Sequence, residues 1–256
     1  MYEKWKGVHT RCAFNMIQEL IPLTRPRTLA AALGPTILGA AFSYYAFGAA
    51  QGTGLAILHT VLIFLAVVTA QIVANLWNEY KDFKSGLDAG QKVGNAGSIT
   101  RGVITPELII TMIKVLMFVP IIIGLYLSTT ITWYYIPVGF LCILISFLYS
   151  GGPKPISRTP FGEISSGIAM GFAIVLITGY AWIRELSLAL LIPAIPSTLL
   201  VGSIMLTNNI RDIRNDESHG RHTLPIMLGR ERALSLMSIS YIFNFIWIIA
   251  WIIVGH

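Results

Sequence analysis

Long apolar runs broken by polar connectors dominate this chain, and few charges fall inside the runs. Seven stretches read as membrane-spanning helices, at about residues 28–49, 55–80, 107–127, 131–150, 161–184, 187–209 and 232–254. Most approach the roughly 20 residues that cover the hydrocarbon core of a bilayer. Pro35, Pro120, Pro137, Pro193 and Pro196 lie inside these stretches, where neighbouring helices can satisfy the carbonyls a proline frees. The first 27 residues are polar, with a modest amphipathic stretch from Cys12 to Leu23 that suits the membrane surface. The pattern predicts an all-α polytopic transmembrane bundle, one membrane-embedded domain over residues 1–256 with an interfacial segment at 1–27.

Composition agrees: 55% of residues are hydrophobic and 12% charged, against about 25% charged in soluble domains. The net charge of +6 does not point to nucleic acid, and no nucleic-acid partner is expected, because the basic residues gather in connectors. Sixteen of the eighteen Lys and Arg residues fall in the N-terminal segment or in the connectors after the second, fourth and sixth spans. The opposite connectors hold Arg184 alone, and Lys114 lies within the third span. The loaded side, N-terminus included, reads as cytoplasmic in a multi-pass protein of the cell membrane. Cys12 and Cys142 are the only cysteines, too few and too separate for a disulfide framework or a thiolate metal site. The N-terminus has no short apolar core followed by small residues, so no removable signal peptide is expected.

Two polar clusters stand at span ends on the loaded side. The first is Asn75-Leu-Trp-Asn-Glu-Tyr-Lys-Asp82, continuing to Asp88, and the second is Asn208-Asn-Ile-Arg-Asp212, continuing to Asp216. Asn78 and Asp82 are four apart, as are Asn208, Asp212 and Asp216, so each set shares one helix face. The matching spacing reads as a weak internal repeat with two half-sites. Carboxylates at the mouth of an apolar bundle are costly unless they bind something. Hard oxygen ligands without histidine suit Mg²⁺, which takes one or two carboxylates together with waters and substrate phosphates. Either cluster alone reads as well as a solvated, capped helix end; two of matching layout on one face favour a shared metal–diphosphate site. Lys81, Lys84, Arg211, Arg214 and Lys154, the last in Tyr149-Ser-Gly-Gly-Pro-Lys154, stand ready to neutralise a departing diphosphate, or serve only as topology charges. Gly94, Gly97 and Gly102 around Arg101 suit a loop that closes over substrate, or a plain connector.

The segments Thr24-Arg-Pro-Arg-Thr-Leu29, Asn75 to Asp88, Arg101-Gly-Val-Ile-Thr105, Tyr149-Ser-Gly-Gly-Pro-Lys-Pro155, Pro160-Phe-Gly-Glu163, Asn208 to Asp216 and Gly220-Arg-His-Thr-Leu224 occur in that order. Together they resemble the UbiA superfamily of intramembrane prenyltransferases, most closely its 1,4-dihydroxy-2-naphthoate branch. The resemblance implies a helical bundle with a central cavity open to the cytoplasmic side. It implies that Asn78, Asp82, Asn208, Asp212 and Asp216 bind Mg²⁺–diphosphate, with Asp88 at the later acidic position of the first motif. Asp82, Asp212 and Lys154 are then the expected catalytic groups. Lys154 and Tyr149 fall near the family's basic and aromatic diphosphate contacts, and Arg25 at its opening basic position; Arg101 and Arg211 join them as expected substrate contacts. The expected reaction is Mg²⁺-dependent transfer from a polyprenyl diphosphate to an aromatic acceptor within the lipid bilayer, most simply 1,4-dihydroxy-2-naphthoate with decarboxylation to demethylmenaquinone. Two departures stand out. Glu79 replaces the family's usual Asp, and seven spans are read where the family usually has nine, so the last two look absent. The alternatives are another acceptor (4-hydroxybenzoate, homogentisate, haem or a glycerol phosphate lipid), a truncated non-catalytic membrane protein, or a secondary transporter.

Overall fold

The computed structural model describes residues 20–86 and 98–254, and every regular element among them is a helix. In chain order these are α1 (Ala30–Phe47), α2 (Thr53–Ser85), α3 (Pro106–Thr130) and α4 (Tyr135–Ser150). Then come α5 (Gly162–Ile183), α6 (Leu191–Arg211), the short α7 (Ile213–Ser218) and α8 (Leu224–Leu228), and finally α9 (Arg230–Val254). The seven expected spans are all present as helices. Six are long and apolar enough to cross a membrane, while α4 is apolar but shorter, at 16 residues.

The sequence misplaces one boundary that matters. Hydropathy falls near residue 80, yet α2 continues to Ser85 and stops at Gly86, whose φ of 75° closes the helix in the left-handed conformation. At 33 residues the helix is about 50 Å long, well beyond the roughly 30 Å hydrocarbon layer. Its last turns therefore carry Asn78 and Asp82 out of the apolar zone on a rigid support.

Packing is close where small residues let backbones approach. A Cβ on Gly39 of α1 would lie 2.8 Å from the Val175 carbonyl oxygen of α5. On α5, Gly167 and Gly171 sit against α6, where a Cβ would come within 2.6 Å of the Thr198 and Ser197 carbonyl oxygens respectively. These two glycines lie in a π-helical stretch, Gly167–Phe172. A buried cluster of Val73, Leu76, Ile109 and Ile113 joins α2 to α3, and Ile99 and Ile104 of the returning loop pack into it. Large side chains such as Phe118, Phe140 and Phe245 are exposed, as expected where the surrounding solvent is lipid.

The end of the bundle away from the clusters is closed by Arg184, the lone basic residue of its connectors. Its φ is 63°, and its Nη1 donates to the carbonyl oxygens of Thr130 at 2.8 Å and Ile131 at 3.0 Å. Its Nη2 donates to Gln51, whose Nε2 donates to the Ala181 carbonyl oxygen at 2.6 Å. Three connectors are thereby tied to one side chain, leaving the opposite end for chemistry.

Candidate active site

Asp82 and Asp216, one from each polar cluster, converge on the guanidinium of Arg221. Nη2 of Arg221 lies 3.2 Å from Asp82 Oδ1, and Nη1 lies 3.2 Å from Asp216 Oδ1. The side chains are largely withdrawn from solvent, at 13% exposure for Arg221 and Asp82 and 4% for Asp216. The local chain path explains the meeting. After α7 the backbone reverses through Gly220, with φ 67°, and the Arg221 N–H donates to the Asp216 carbonyl oxygen at 3.0 Å. The next residue, His222, donates its N–H to the Arg158 carbonyl oxygen at 3.0 Å. Arg221 is thus fixed from both sides, and its Nε is buried without an acceptor, a donor left over in a protein where such groups are rare.

Asn78 orients Asp82. Its Nδ2 donates to Asp82 Oδ2 at 3.0 Å, and its Oδ1 accepts from Ser150 Oγ, at the end of α4, at 2.8 Å. One lone pair of that amide oxygen remains for a further partner. Arg25 and Arg158 add their charges to that of Arg221 in the field acting on Asp82. Burial pushes the Asp216 carboxyl above the usual carboxylate range; Arg221 pulls it down, and the charges of Asp212 and Asp82 push it further up.

The remaining expected residues divide. Asp212 sits at the junction of α6 and α7, and the i to i−4 ladder runs through it: its N–H donates to the Asn208 carbonyl oxygen at 3.0 Å and its own carbonyl accepts from the Asp216 N–H at 2.9 Å. The backbone ladder that the four-residue spacing implies therefore continues through the break between helices, but the side chains do not share one face. The Asp212 side chain turns outward, 43% exposed, onto Arg211 at 2.7 Å. Arg211, 69% exposed, engages Asp212 through Nε and Nη2. Tyr149 is half-buried, hydrogen-bonded to Ser166, and within electrostatic reach of Glu163, Arg221 and Arg25. Lys154 is exposed in the bend after Gly152. Arg101 is exposed, with Nη2 donating to Ser98 Oγ at 3.1 Å. Asp88 lies outside the described residues.

Glu79 takes a structural part. It is 2% exposed, and its Oε1 accepts the Ser98 N–H at 2.8 Å, tying the returning loop to α2. Three participants lay in the quoted segments, but sequence reasoning assigned them no individual role. Arg221 was one basic residue among several in a connector. Ser150 lay inside the segment Tyr149-Ser-Gly-Gly-Pro-Lys154 but was given no role of its own. Glu163, 6% exposed, accepts from Asn209 Nδ2 at 2.9 Å while its Oε2 is buried without a partner; its place at the end of Pro160-Phe-Gly-Glu163 was the available signal.

The donor set fits a magnesium ion. Among the described residues no group of three or more His, Cys, Asp or Glu side chains forms a metal cage. Mg²⁺ does not need one, since it is held by one or two carboxylates plus waters and phosphate oxygens. Asp82 and Asp216 are such a pair, and a guanidinium already stands between them as a cation.

Residues 32–256 match the model of the UbiA prenyltransferase family. The chain is 37% identical to a 1,4-dihydroxy-2-naphthoate octaprenyltransferase of Bacillus subtilis over 245 residues, covering 94% of this chain and 76% of that protein. It is 31% identical to the Mycobacterium tuberculosis enzyme of the same name, over 90% of this chain and 79% of that one. A UbiA homolog from Archaeoglobus fulgidus, solved bound to DMAPP and Mg²⁺, shares the fold with a TM-score of 0.64 at 17% identity, covering 90% of this chain and 76% of that chain. The chain belongs to the UbiA prenyltransferase family: it is a membrane-type helical bundle and a prenyltransferase.

Proposed function

We propose that this chain transfers a polyprenyl group from a polyprenyl diphosphate to 1,4-dihydroxy-2-naphthoate, with loss of the ring carboxylate, to give demethylmenaquinone. The observation that carries the reading is the convergence of Asp82 and Asp216 on Arg221. The acceptor comes from the names of the relatives in Bacillus subtilis and Mycobacterium tuberculosis. The Lys- and Arg-rich connectors support reading the site as cytoplasmic.

Asp82 and Asp216, with the Asn78 amide oxygen beside them, would hold Mg²⁺; Asn208, Asp212 and Asp88 are the further oxygen donors the motifs offer. Bound there, the metal would supply positive charge to the diphosphate oxygens. Arg221, Arg25 and Arg158 bring fixed positive charge to the same place, and Lys154 and Arg101 sit on connectors at that end. As the allylic carbon–oxygen bond breaks, the electron pair leaves with the diphosphate, where these cations stabilise it. The allylic carbon is then taken by a ring carbon of the electron-rich acceptor. Tyr149 and the apolar bundle exclude water that would divert the allylic centre to an alcohol.

The test is purified protein with radiolabelled polyprenyl diphosphate, Mg²⁺ and a panel of aromatic acceptors. Labelled demethylmenaquinone from the naphthoate is the expected product. Folded protein that releases no diphosphate with any acceptor sinks the enzyme reading, and a product with a different acceptor alone sinks the naphthoate assignment.

A further inference from the structure

A second concavity rich in arginine lies where α6, α7 and α9 meet, with none of the Asp82, Asp216 and Arg221 side chains in its lining. A cavity of about 510 Å³ is lined by Ile210, Arg211, Ile213, Arg214 and Arg230. Arg211 is balanced by Asp212 at 2.7 Å. Arg214 and Arg230 are exposed and have no acidic partner among the described ion pairs. Two guanidinium groups with no acidic partner among the described residues, in one concavity, favour an anion, and arginine's fork matches phosphate oxygens.

The level of the cavity narrows the choice. It sits where α6 ends at Arg211 and α9 begins at Arg230, the ends of two candidate spans, at the depth of lipid headgroups. Below it, Leu200, Ile204, Thr207 and Arg211 are all exposed on α6. Their steps of four, three and four residues put them on one helix face. Thr207 touches α9 through Met237 Sδ at 3.3 Å, so this face borders the α6–α9 seam. An apolar strip thus leads directly up to the arginines.

We propose that this cavity binds the phosphate headgroup of an anionic phospholipid, with an acyl chain lying along Leu200 and Ile204. A basic pocket between helices at the membrane surface is a physically sound lipid site. A free phosphate offers the same headgroup chemistry without the tail, and the test separates the two.

The experiment is native mass spectrometry of the full chain released from detergent, with phosphatidylglycerol or phosphatidylcholine added. The wild-type protein retains phosphatidylglycerol in preference to phosphatidylcholine. The double variant Arg214→Gln/Arg230→Gln loses that retention by about 30-fold, taking each juxtaposed arginine at its usual surface contribution. Ile204→Asn weakens retention with the arginines intact, and excess inorganic phosphate does not displace the lipid. Equal retention of both lipids, or undiminished retention by the double variant, overturns the proposal. Complete displacement by inorganic phosphate overturns the lipid assignment and leaves a site for the free anion. Because the readout is binding, it stands whether or not prenyl transfer is observed.

Discussion

Asp82 and Asp216 meet on the two terminal nitrogens of Arg221, at 3.2 Å each, although they belong to different helices and different motifs. Opposite charges so placed hold the two halves of the site in register before any substrate arrives. The arrangement makes several consequences measurable.

Removing the guanidinium leaves two buried carboxylates facing each other. Arg221→Ala should lower stability by about 3–5 kcal/mol, the range for a broken buried pair, in thermal unfolding without divalent ions. Mg²⁺ should restore part of the loss in the variant and more than it adds to the wild type. An equal Mg²⁺ effect on both proteins would mean that the ion does not bind between these carboxylates.

Asp82→Asn and Asp216→Asn should each reduce prenyl transfer by about 10²–10³-fold, the scale of removing one electrostatic contact from a transition state. The double variant should be little worse than either single one, because groups that act as a unit are not additive. Multiplicative losses would place the two residues in separate sites.

Asp216 sets a pH dependence. Burial raises its carboxyl above the ordinary carboxylate range, so the folded protein binds a proton more tightly than the unfolded chain does. Its contribution to stability is therefore fully present at acid pH. It is lost as pH rises from the usual Asp value through the raised one. Mg²⁺ competes with that proton, so metal affinity should climb over the same window. Asp216→Asn should flatten both curves, measured by unfolding and by Mg²⁺ titration across pH.

Glu79 should separate structure from chemistry. Glu79→Ala removes the carboxylate that accepts the buried Ser98 N–H and should cost about 1–3 kcal/mol. Mg²⁺ affinity should stay near the wild-type value, since the Glu79 carboxylate is engaged by the returning loop. A selective loss of metal binding with unchanged stability would restore Glu79 to the ligand set.

Gly171 controls the approach of α5 to α6. A Cβ there would lie 2.6 Å from Ser197 O and Thr198 Cα, so Gly171→Ala should cost about 1–3 kcal/mol through forced backbone shifts. It should also weaken the Glu163–Asn209 contact between the same helices, seen as a loss of activity that Gly34→Ala, which meets nothing within 4 Å, does not show.

The hydropathy of the chain was enough to determine an all-helical membrane bundle and the count of its apolar helices, because burial in lipid demands long apolar runs with internally satisfied backbones. The four-residue spacing of Asn78 with Asp82 was enough to put that pair on one face, where the two side chains meet, because helical periodicity is local. Tertiary structure alone decided that Asp216 turns inward while Asp212 turns out to Arg211. It also decided that Glu79 ties a loop, and that Arg221, ordinary among the connector charges, stands between the two motifs. Those outcomes depend on how α2, α6 and the Gly220 reversal cross in space. A one-dimensional pattern of apolar and charged positions records which face a side chain lies on, but not which distant group meets it there.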